Sequence, residues 1–382
     1  MRDQFLLDPG ITFLNHGSFG ACPRDVLQAC FALQRDMERN PVEFLARRSA
    51  GLLAEARSAL GTLVGSPAQD LVFVPNATHA VNTVARSLDL RPGDEVLATD
   101  HEYGACDNTW DFACRRSGAR LVRAEIPLPF RPEEVVDRLW AQVTPRTRVI
   151  FLSHITSTTA LILPVAEVCA RARRAGILTL VDGAHAPGQV DLDLASLGAD
   201  FYTGNCHKWL CAPKGSAFLH VRPECQPLLD APVVSWGYSE APGGHTGFEA
   251  YTGSTLLERR LQWQGTRDLA AFLSVPVAID FQRRHGWGEV RTRCHRLAEA
   301  ALAAACERSG LPPPCTGADF AQMVCLPVRP QDPEALRRTL FERHRIEVPV
   351  TTHGDRVFVR ISVQGYNAPE DVDRLMQALG GD

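Results

Sequence analysis

An aspartate and a lysine, Asp182 and Lys208, are the residues whose positions in this chain point most directly to chemistry. Asp182 follows the apolar run 177–181, and Lys208 closes a second run, 199–207, that begins with the predicted strand 199–203. Apolar runs of this length are typical of buried strands. Pyridoxal phosphate chemistry needs a lysine amine to form a Schiff base and a carboxylate to keep the pyridine nitrogen protonated. The pair therefore predicts a pyridoxal phosphate site.

Each member of the pair also has an ordinary structural explanation. Asp182 precedes Gly183 and Ala184 and could cap a helix, while Lys208 could extend its amine to water. A charged lysine is costly to bury among apolar and aromatic neighbours, which favours a functional role for Lys208. His185 comes three residues after Asp182, so we expect its side chain on the same side of the chain.

Two further segments have the pattern of a helix start that could bind phosphate. A predicted strand leads into Asn76, a good N-cap residue, so the backbone N–H groups at Ala77 and Thr78 would open a helix. Thr266 precedes a second predicted helix and offers a hydroxyl donor. Both segments could instead be plain capped helices without a ligand.

Three other side chains could contact a flat cofactor or an amino acid. His101 and Tyr103 follow the predicted strand 95–99, where an aromatic ring could stack on a cofactor ring. Arg360 lies in a hydrophobic strand near the C-terminus, and its guanidinium could clamp a carboxylate through two hydrogen bonds. The alternatives are a loop histidine without function and a structural salt bridge at Arg360.

The elements around these residues predict an α/β fold with a large and a small domain. From about residue 45 to 275, strand-like runs alternate with helical patterns, which favours a mostly parallel sheet. The predicted strands are 71–74, 95–99, 148–152, 177–181, 199–203 and 216–221. We expect an N-terminal segment near the site at 1–25, the large cofactor-binding domain at 26–275 and a compact α+β domain at 276–382.

Composition argues against several classes of partner. The net charge of -4 gives no electrostatic reason to expect nucleic acid or an anionic membrane surface. No apolar run is long enough to span a bilayer, and the N-terminus lacks a signal-peptide pattern. The 12 cysteines form no CxxC pair and no zinc spacing, so we expect no metal site. Free thiols in such number favour the reducing cytoplasm.

Taken together, these motifs resemble the class V aminotransferase group of pyridoxal phosphate enzymes, which have the fold type I architecture. The resemblance extends over nearly the whole chain and is greatest to the isopenicillin N epimerase-like branch. It rests on the opening segment 13–20 (FLNHGSFG), on 264–268 (QGTRD), and on the ordered set Asp182, His185, His207 and Lys208.

The resemblance implies a role around the cofactor for each of these residues. Lys208 would hold the internal aldimine and act as the base at Cα, Asp182 would pair with the pyridinium nitrogen, and His185 would approach the ring hydroxyl. His101 would stack on the ring, with Tyr103 as the alternative. The implied phosphate site consists of Asn76, Ala77, Thr78 and His207, with Thr266 reaching in from a second subunit of a homodimer.

On the substrate side, the resemblance implies that Arg360 binds the carboxylate of an amino acid and that Asn15 and His16 lie near it. Side-chain selectivity would come from the N-terminal segment and from a mobile glycine-rich loop at 236–253. An epimerase needs a second proton donor on the face opposite the lysine, and the candidates are His16, His101 and Tyr103.

The implied activity is removal of a Cα proton, with epimerisation first. Carbon–sulfur β-elimination from a cysteine derivative is the near alternative, and transamination is a further one. The stretch 328–359 has no cysteine, which disfavours a persulfide-forming desulfurase. A different class of protein, a silent cofactor-binding sensor or scaffold, is disfavoured by the intact Lys208, Asp182 and Arg360.

Overall fold

The structure is a computed structural model and describes residues 1–238 and 251–380. Most of the glycine-rich loop expected near the site, residues 239–250, lies outside this part of the chain. The strands are β1 Thr12–Phe13, β2 Leu71–Val74, β3 Glu95–Thr99, β4 Arg120–Ala124, β5 Thr147–Ser153, β6 Leu178–Asp182, β7 Phe201–Asn205, β8 Ala217–Val221, β9 Met323–Val328, β10 Ile346–Glu347, β11 Val350–His353 and β12 Arg356–Ser362.

Helices connect these strands and cover both faces of the main sheet. They are α1 His16–Phe19, α2 Arg24–Arg39, α3 Ser49–Val64, α4 Ala77–Ser87, α5 Gly104–Ser117, α6 Pro132–Trp140, α7 Val165–Arg174, α8 Leu194–Leu197, α9 Leu256–Leu261, α10 Ala270–Leu273, α11 Val275–Arg284, α12 Trp287–Ser309, α13 Pro333–Glu342 and α14 Pro369–Ala378. Within the described residues, no helix is long and apolar enough to cross a membrane.

Seven strands form the main sheet, in the order β2-β8-β7-β6-β5-β3-β4. The five strands from β7 to β4 pair in parallel, and β8 runs antiparallel to both of its neighbours. All six strands predicted for this region are present, with ends shifted by at most two residues. The edge strand β4 was not predicted, because four of its five residues are exposed or half-buried and give no apolar run.

Successive residues of the central strands pack into two different cores, one on each face of the sheet. Val72 and Val74 belong to the core with Trp110 of α5, whereas Leu71 and Phe73 belong to the larger core on the other face. This alternation follows from the two-residue period of a strand, and burial on both faces explains the continuous apolar runs of the sequence. Each large side chain buried in this way contributes roughly 1.5–3 kcal/mol.

The C-terminal part builds a second, antiparallel sheet in the order β11-β12-β9, with α12 packed against β9. The N-terminal segment joins this part, because β1 pairs in parallel with β10. The division into domains at residue 275 stays a prediction.

The carboxyl ends of β3, β5, β6 and β7 meet at one edge of the main sheet, because these strands run in the same direction. Ser153, Asp182 and Asn205 are the last residues of β5, β6 and β7. Ligands of open α/β sheets bind at this edge, outside the carboxyl ends of the strands.

Candidate active site

A cavity of about 350 Å³ lies at the carboxyl edge of the main sheet. It brings together eight of the residues that the sequence singled out: Asn76, Ala77, Thr78, Tyr103, Asp182, His185, His207 and Lys208. Asn15, His16, His101, Thr266 and Arg360 do not line it. The residues that line the cavity come from the carboxyl ends of five strands, β2, β3, β5, β6 and β7, and from Ser18 and Phe19 of the N-terminal segment.

Lys208 is buried in this cavity, and its amine contacts an imidazole. The Lys208 Nζ lies 3.0 Å from His185 Nε2, while the indole N–H of Trp209 donates to His185 Nδ1 at 3.1 Å. Burial and then the charge of Lys208 hold the pKa of His185 well below its usual value, so the ring is neutral. Because Nδ1 accepts, Nε2 carries the hydrogen and donates to Lys208.

The amine can accept that hydrogen only in its neutral form. Burial, with a further contribution from the charge of Arg360, lowers the pKa of Lys208 to about 7, against the opposing effect of Asp182. A large fraction of the amine is therefore unprotonated near neutral pH. Neutral lysine is the form that attacks a carbonyl carbon or removes a proton.

Asp182, at the end of β6, is also buried and already accepts two hydrogen bonds. The backbone N–H of Ala184 donates to Oδ1 at 2.9 Å, and the thiol of Cys106 donates to Oδ2 at 3.5 Å. Burial raises the pKa of Asp182, and the Ala184 bond and the charge of Lys208 oppose that shift. A buried carboxylate with few donors is suited to hold a cationic N–H group.

The start of α4 also lines the cavity. The Asn76 side chain accepts from the backbone N–H of His79 at 2.8 Å, which makes Asn76 the N-cap predicted from the sequence. The backbone N–H of Ala77 donates to Asn205 Oδ1 at 2.9 Å and ties α4 to the end of β7. Thr78 and His207 complete this wall. The first turn of an eleven-residue helix favours an anion such as a phosphate.

These groups fit pyridoxal phosphate. A partly neutral amine, a buried carboxylate and a helix start with hydroxyl and imidazole neighbours lie around one cavity. They match the aldehyde, the pyridine nitrogen and the phosphate of that cofactor. Lys208, Asp182 and Thr78 would hold these three parts, and this assignment of residues is a proposal.

The N-terminal segment packs directly against the residues that carry the lysine. His16 Nε2 lies 3.0 Å from the Lys208 carbonyl, and Lys214 Nζ donates to the Gly20 carbonyl at 2.8 Å. Gly20 has a φ of 73°, and a Cβ there would lie 2.1 Å from the His207 carbonyl oxygen, so only glycine fits. This close packing places Ser18 and Phe19 on the cavity wall.

His16 itself faces away from the cavity. Its Nδ1 lies 3.0 Å from the Tyr366 hydroxyl, and burial lowers its pKa to about 3. Asn15 accepts a hydrogen bond from Ser18 Oγ at 2.5 Å and so supports the wall indirectly. Asn15 and His16 therefore do not line the cavity, whereas Ser18 and Phe19 of the same segment do.

His101 does not reach the cavity either. Its Nδ1 lies 2.7 Å from Thr159 Oγ1, its Nε2 lies 2.7 Å from the Ile126 carbonyl, and its ring stacks on His353 with centroids 3.9 Å apart. Burial lowers the pKa of His101 to about 4. The ring of His101 therefore lies in the protein interior, whereas the alternative residue, Tyr103, is 45% exposed and lines the cavity.

A three-residue cluster around this histidine has ligand atoms close enough for a metal ion. Asp100, His101 and His353 bring such atoms within 4.8 Å of one another. The expectation of no metal site considered only the spacing of cysteine and histidine along the chain, and it did not predict this group. Hydrogen bonds to Thr159 and Ile126 occupy both nitrogens of His101, so the cluster is a satisfied hydrogen-bonded contact.

Arg360 of β12 is buried behind the cavity wall. Its guanidinium donates to the Ser157 carbonyl and lies 3.3 Å from both Ser157 Oγ and Ser18 Oγ. Among the described residues no carboxylate pairs with Arg360, and its Nε has no hydrogen-bond partner. A buried cation without an anion is costly, so this arrangement favours a ligand carboxylate reached between Ser18 and Ser157.

We expect Arg360→Ala to weaken substrate binding by at least about 30-fold, because removing one partner of a buried charge pair costs about 2 kcal/mol or more. The affinity for the cofactor should change little. The measurement is the KM for an amino-acid substrate beside the dissociation constant of the cofactor.

Arg356→Ala is the matched control, since Arg356 lies on the same strand and donates to the Pro312 carbonyl instead. An Arg360→Ala variant with unchanged KM would remove Arg360 from the site.

Thr266 does not line this cavity. It lines a separate cleft with Gln34, Met37 and Glu38 of α2. Its predicted contact with phosphate was expected to come from a second subunit, and that arrangement stays a proposal.

Several residues of the site were not predicted from the sequence. Ser153 and Asn205 end β5 and β7, as Asp182 ends β6. Because ligands of open α/β sheets bind at the carboxyl ends of the strands, the same reasoning that predicted Asp182 could have predicted these two residues. Ser157 lies in a loop without a local signal, and its place follows from contact with Arg360, 203 residues later.

Comparison with known proteins gives consistent results along the whole chain. A family model described as aminotransferase class V matches residues 14–375. Isopenicillin N epimerase of Streptomyces clavuligerus is 41% identical over 383 residues, covering 99% of this chain and 96% of that protein. A probable chloroplastic L-cysteine desulfhydrase of Arabidopsis thaliana is 32% identical over 414 residues, covering 98% and 83% respectively. A solved structure of a C-DES variant with glycine covalently linked to its PLP cofactor has a TM-score of 0.86 at 24% identity, covering 100% of this chain and 99% of that one.

Proposed function

The chain belongs to the class V aminotransferase family of pyridoxal phosphate enzymes, and from this premise we propose that it is an amino-acid epimerase. The family, the fold class and the cofactor predicted from the sequence are confirmed by the comparisons. The observation that carries the proposal is the single cavity lined by Lys208, Asp182 and Tyr103, in which a large fraction of the Lys208 amine is neutral.

Pyridoxal phosphate, when bound, withdraws electrons from the Cα of an attached amino acid and so makes its proton removable. The residues of this chain supply the rest. Arg360 binds the α-carboxylate and thereby fixes the orientation of the Cα–H bond. The Lys208 amine takes the proton from Cα, and the N–H of His185 holds that amine in place at 3.0 Å. Asp182 keeps a proton on the pyridine nitrogen.

Epimerisation also needs a donor that returns a proton to Cα from the other side. Of the three candidates, His16 and His101 are buried outside the cavity, and only Tyr103 lines it. Tyr103 follows β3 and Lys208 follows β7, with β5 and β6 between them in the sheet. The two residues therefore approach the cavity from different sides. Because Tyr103 is 45% exposed, water can restore the proton that its hydroxyl gives up.

Carbon–sulfur β-elimination is the second candidate, and the 32% identity to a probable cysteine desulfhydrase supports it. It begins with the same proton transfer to Lys208 and ends with loss of a thiolate from Cβ. A desulfurase-type persulfide is disfavoured, because Cys325 is buried in β9 against the Thr158 carbonyl and does not line the cavity.

The experiment that tests the proposal is proton NMR of the cofactor-loaded protein in deuterated water with L-amino acids, including S-substituted cysteines. Deuterium at Cα together with accumulation of the D-isomer supports the epimerase. Formation of pyruvate and a released thiol would contradict the epimerase and support the carbon–sulfur lyase. If the protein exchanges no Cα proton with any of these amino acids, both enzymatic activities are contradicted, and a cofactor-binding sensor or scaffold is favoured.

A homodimer with shared sites and a cytoplasmic location complete the proposal. The dimer is supported by the position of Thr266, which lines a separate cleft of its own chain and not the cavity. The location rests on the 12 cysteines, all of which are free thiols.

A further inference from the structure

A thiol from the large domain contacts the carboxylate that we assign to the cofactor. Cys106 lies in the first turn of α5, three residues after Tyr103, and its side chain is completely buried. Its Sγ lies 3.5 Å from Asp182 Oδ2, while the other carboxylate oxygen accepts from the Ala184 backbone. Apart from Ala184, this thiol is the donor to Asp182 within the described residues.

The thiol is a permanent donor at physiological pH. Burial, followed by the charge of Asp182, raises the pKa of Cys106 well above its usual value, so the sulfur keeps its hydrogen. It is also unsuited to nucleophilic attack, because the thiolate is the reactive form. A function for Cys106 must therefore come from hydrogen bonding to Asp182.

The neighbouring carboxyl group of Glu102 cannot replace Asp182 as the partner of the pyridine nitrogen. Glu102 accepts from Thr99 Oγ1 at 2.5 Å and from Ser153 Oγ at 2.6 Å, and burial raises its pKa to about 8. It is therefore mostly protonated near pH 7 and does not supply the negative charge that a pyridinium nitrogen needs. The titratable groups around Asp182 are Glu102, Cys106, Tyr202 and Lys208.

We propose that Cys106 is a positioning residue, which orients the Asp182 carboxylate toward the pyridine nitrogen and stabilises its charged form. The geometry supports this role, because a carboxylate whose two oxygens accept from two different donors cannot rotate freely. A thiol is a weak donor, so it fixes the carboxylate without greatly reducing its basicity. The inference rests on the proposed pairing of Asp182 with the cofactor.

The test is titration of the apoprotein with pyridoxal phosphate over a range of pH. We expect Cys106→Ala to weaken cofactor binding about fivefold, the equivalent of about 1 kcal/mol for one hydrogen bond. Without the donor the pKa of Asp182 rises further. As the pH is lowered, the affinity for the cofactor should therefore begin to fall at a higher pH than in the parent protein. Cys106→Ser, which keeps a donor, should restore both properties.

Cys114→Ala is the matched control, since Cys114 is buried in the same helix and has no contact with Asp182. Equal losses in Cys106→Ala and Cys114→Ala, or no rescue by serine, would reduce Cys106 to a packing residue. If Cys106→Ala does not fold, Cys106→Val fills the space without a donor and takes its place.

Asp182→Asn distinguishes a failure of the role proposed for Cys106 from a failure of the pairing between Asp182 and the cofactor. A normal Cys106→Ala beside a defective Asp182→Asn would overturn only the role of Cys106. If both variants bind the cofactor as the parent does, the assignment of Asp182 itself fails.

Discussion

The Lys208→Ala variant should lose covalent attachment of the cofactor and about 10⁴-fold of its Cα proton exchange. The side chain removed is the buried amine whose pKa lies at about 7 and which His185 holds at 3.0 Å. Alanine leaves no nitrogen to form the bond and no base to take the proton. The measurement is borohydride reduction of the loaded protein, followed by mass spectrometry of its peptides.

The composition of the chain makes this experiment unusually clean. Lys208 and Lys214 are the only lysines in the sequence, so a reduced cofactor adduct on a lysine has two possible positions. Lys214→Arg is the control, and it should keep the adduct on Lys208, because Lys214 donates to the Gly20 carbonyl instead of facing the cavity. An adduct that persists in Lys208→Ala would overturn the assignment of the site.

The cofactor end of the site could be predicted from the sequence because it depends on strand ends. Apolar runs locate the strands, and parallel strands bring their carboxyl ends to one edge, so Asp182 and Lys208 could be placed together. The cap at Asn76 was predicted for a similar local reason, because an N-cap residue bonds to its own helix.

The substrate end could not be predicted in the same way, since it depends on contacts between distant parts of the chain. His16 turns from the cavity because Tyr366, 350 residues away, and the Lys208 carbonyl, 192 residues away, satisfy its nitrogens. Arg360 reaches the wall only through Ser18 and Ser157. No local pattern encodes such pairings.

Which of His101 and Tyr103 faces the cavity could not be predicted from the sequence either, although the two residues are only two positions apart. Both follow β3, and both rings could stack on a cofactor. His101 is drawn into the interior because Thr159 and Ile126 offer partners for both of its nitrogens. Tyr103 is left at the N-cap of α5, where it faces the cavity. The decision depends on a loop conformation that residue types alone do not specify.

Tyr103→Phe should abolish the D-isomer while leaving exchange at Cα of the L-isomer. The phenylalanine ring keeps any stacking contact and removes only the hydroxyl, so Lys208 can still take the Cα proton and return a deuteron to the same side. The donor for the other side is gone, and general-acid catalysis of this kind is worth about 10²- to 10⁴-fold. The measurement is proton NMR in deuterated water, which reports deuterium incorporation and the L-to-D ratio from one sample.

The two possible roles of Tyr103 predict different results in a pair of variants. If the phenol is the proton donor, Tyr103→Phe separates exchange from epimerisation, and Tyr103→Ala loses both because the ring contact also disappears. If Tyr103 only stacks on the cofactor, Tyr103→Phe epimerises as fast as the parent protein, and the donor must be sought among the other groups of the wall. Ser18 and Ser157 are then the polar side chains next to Arg360, and their hydroxyls are the groups to replace. A parent protein that releases pyruvate from cysteine derivatives would give the phenol a different task, since the lyase needs no proton returned from the second side.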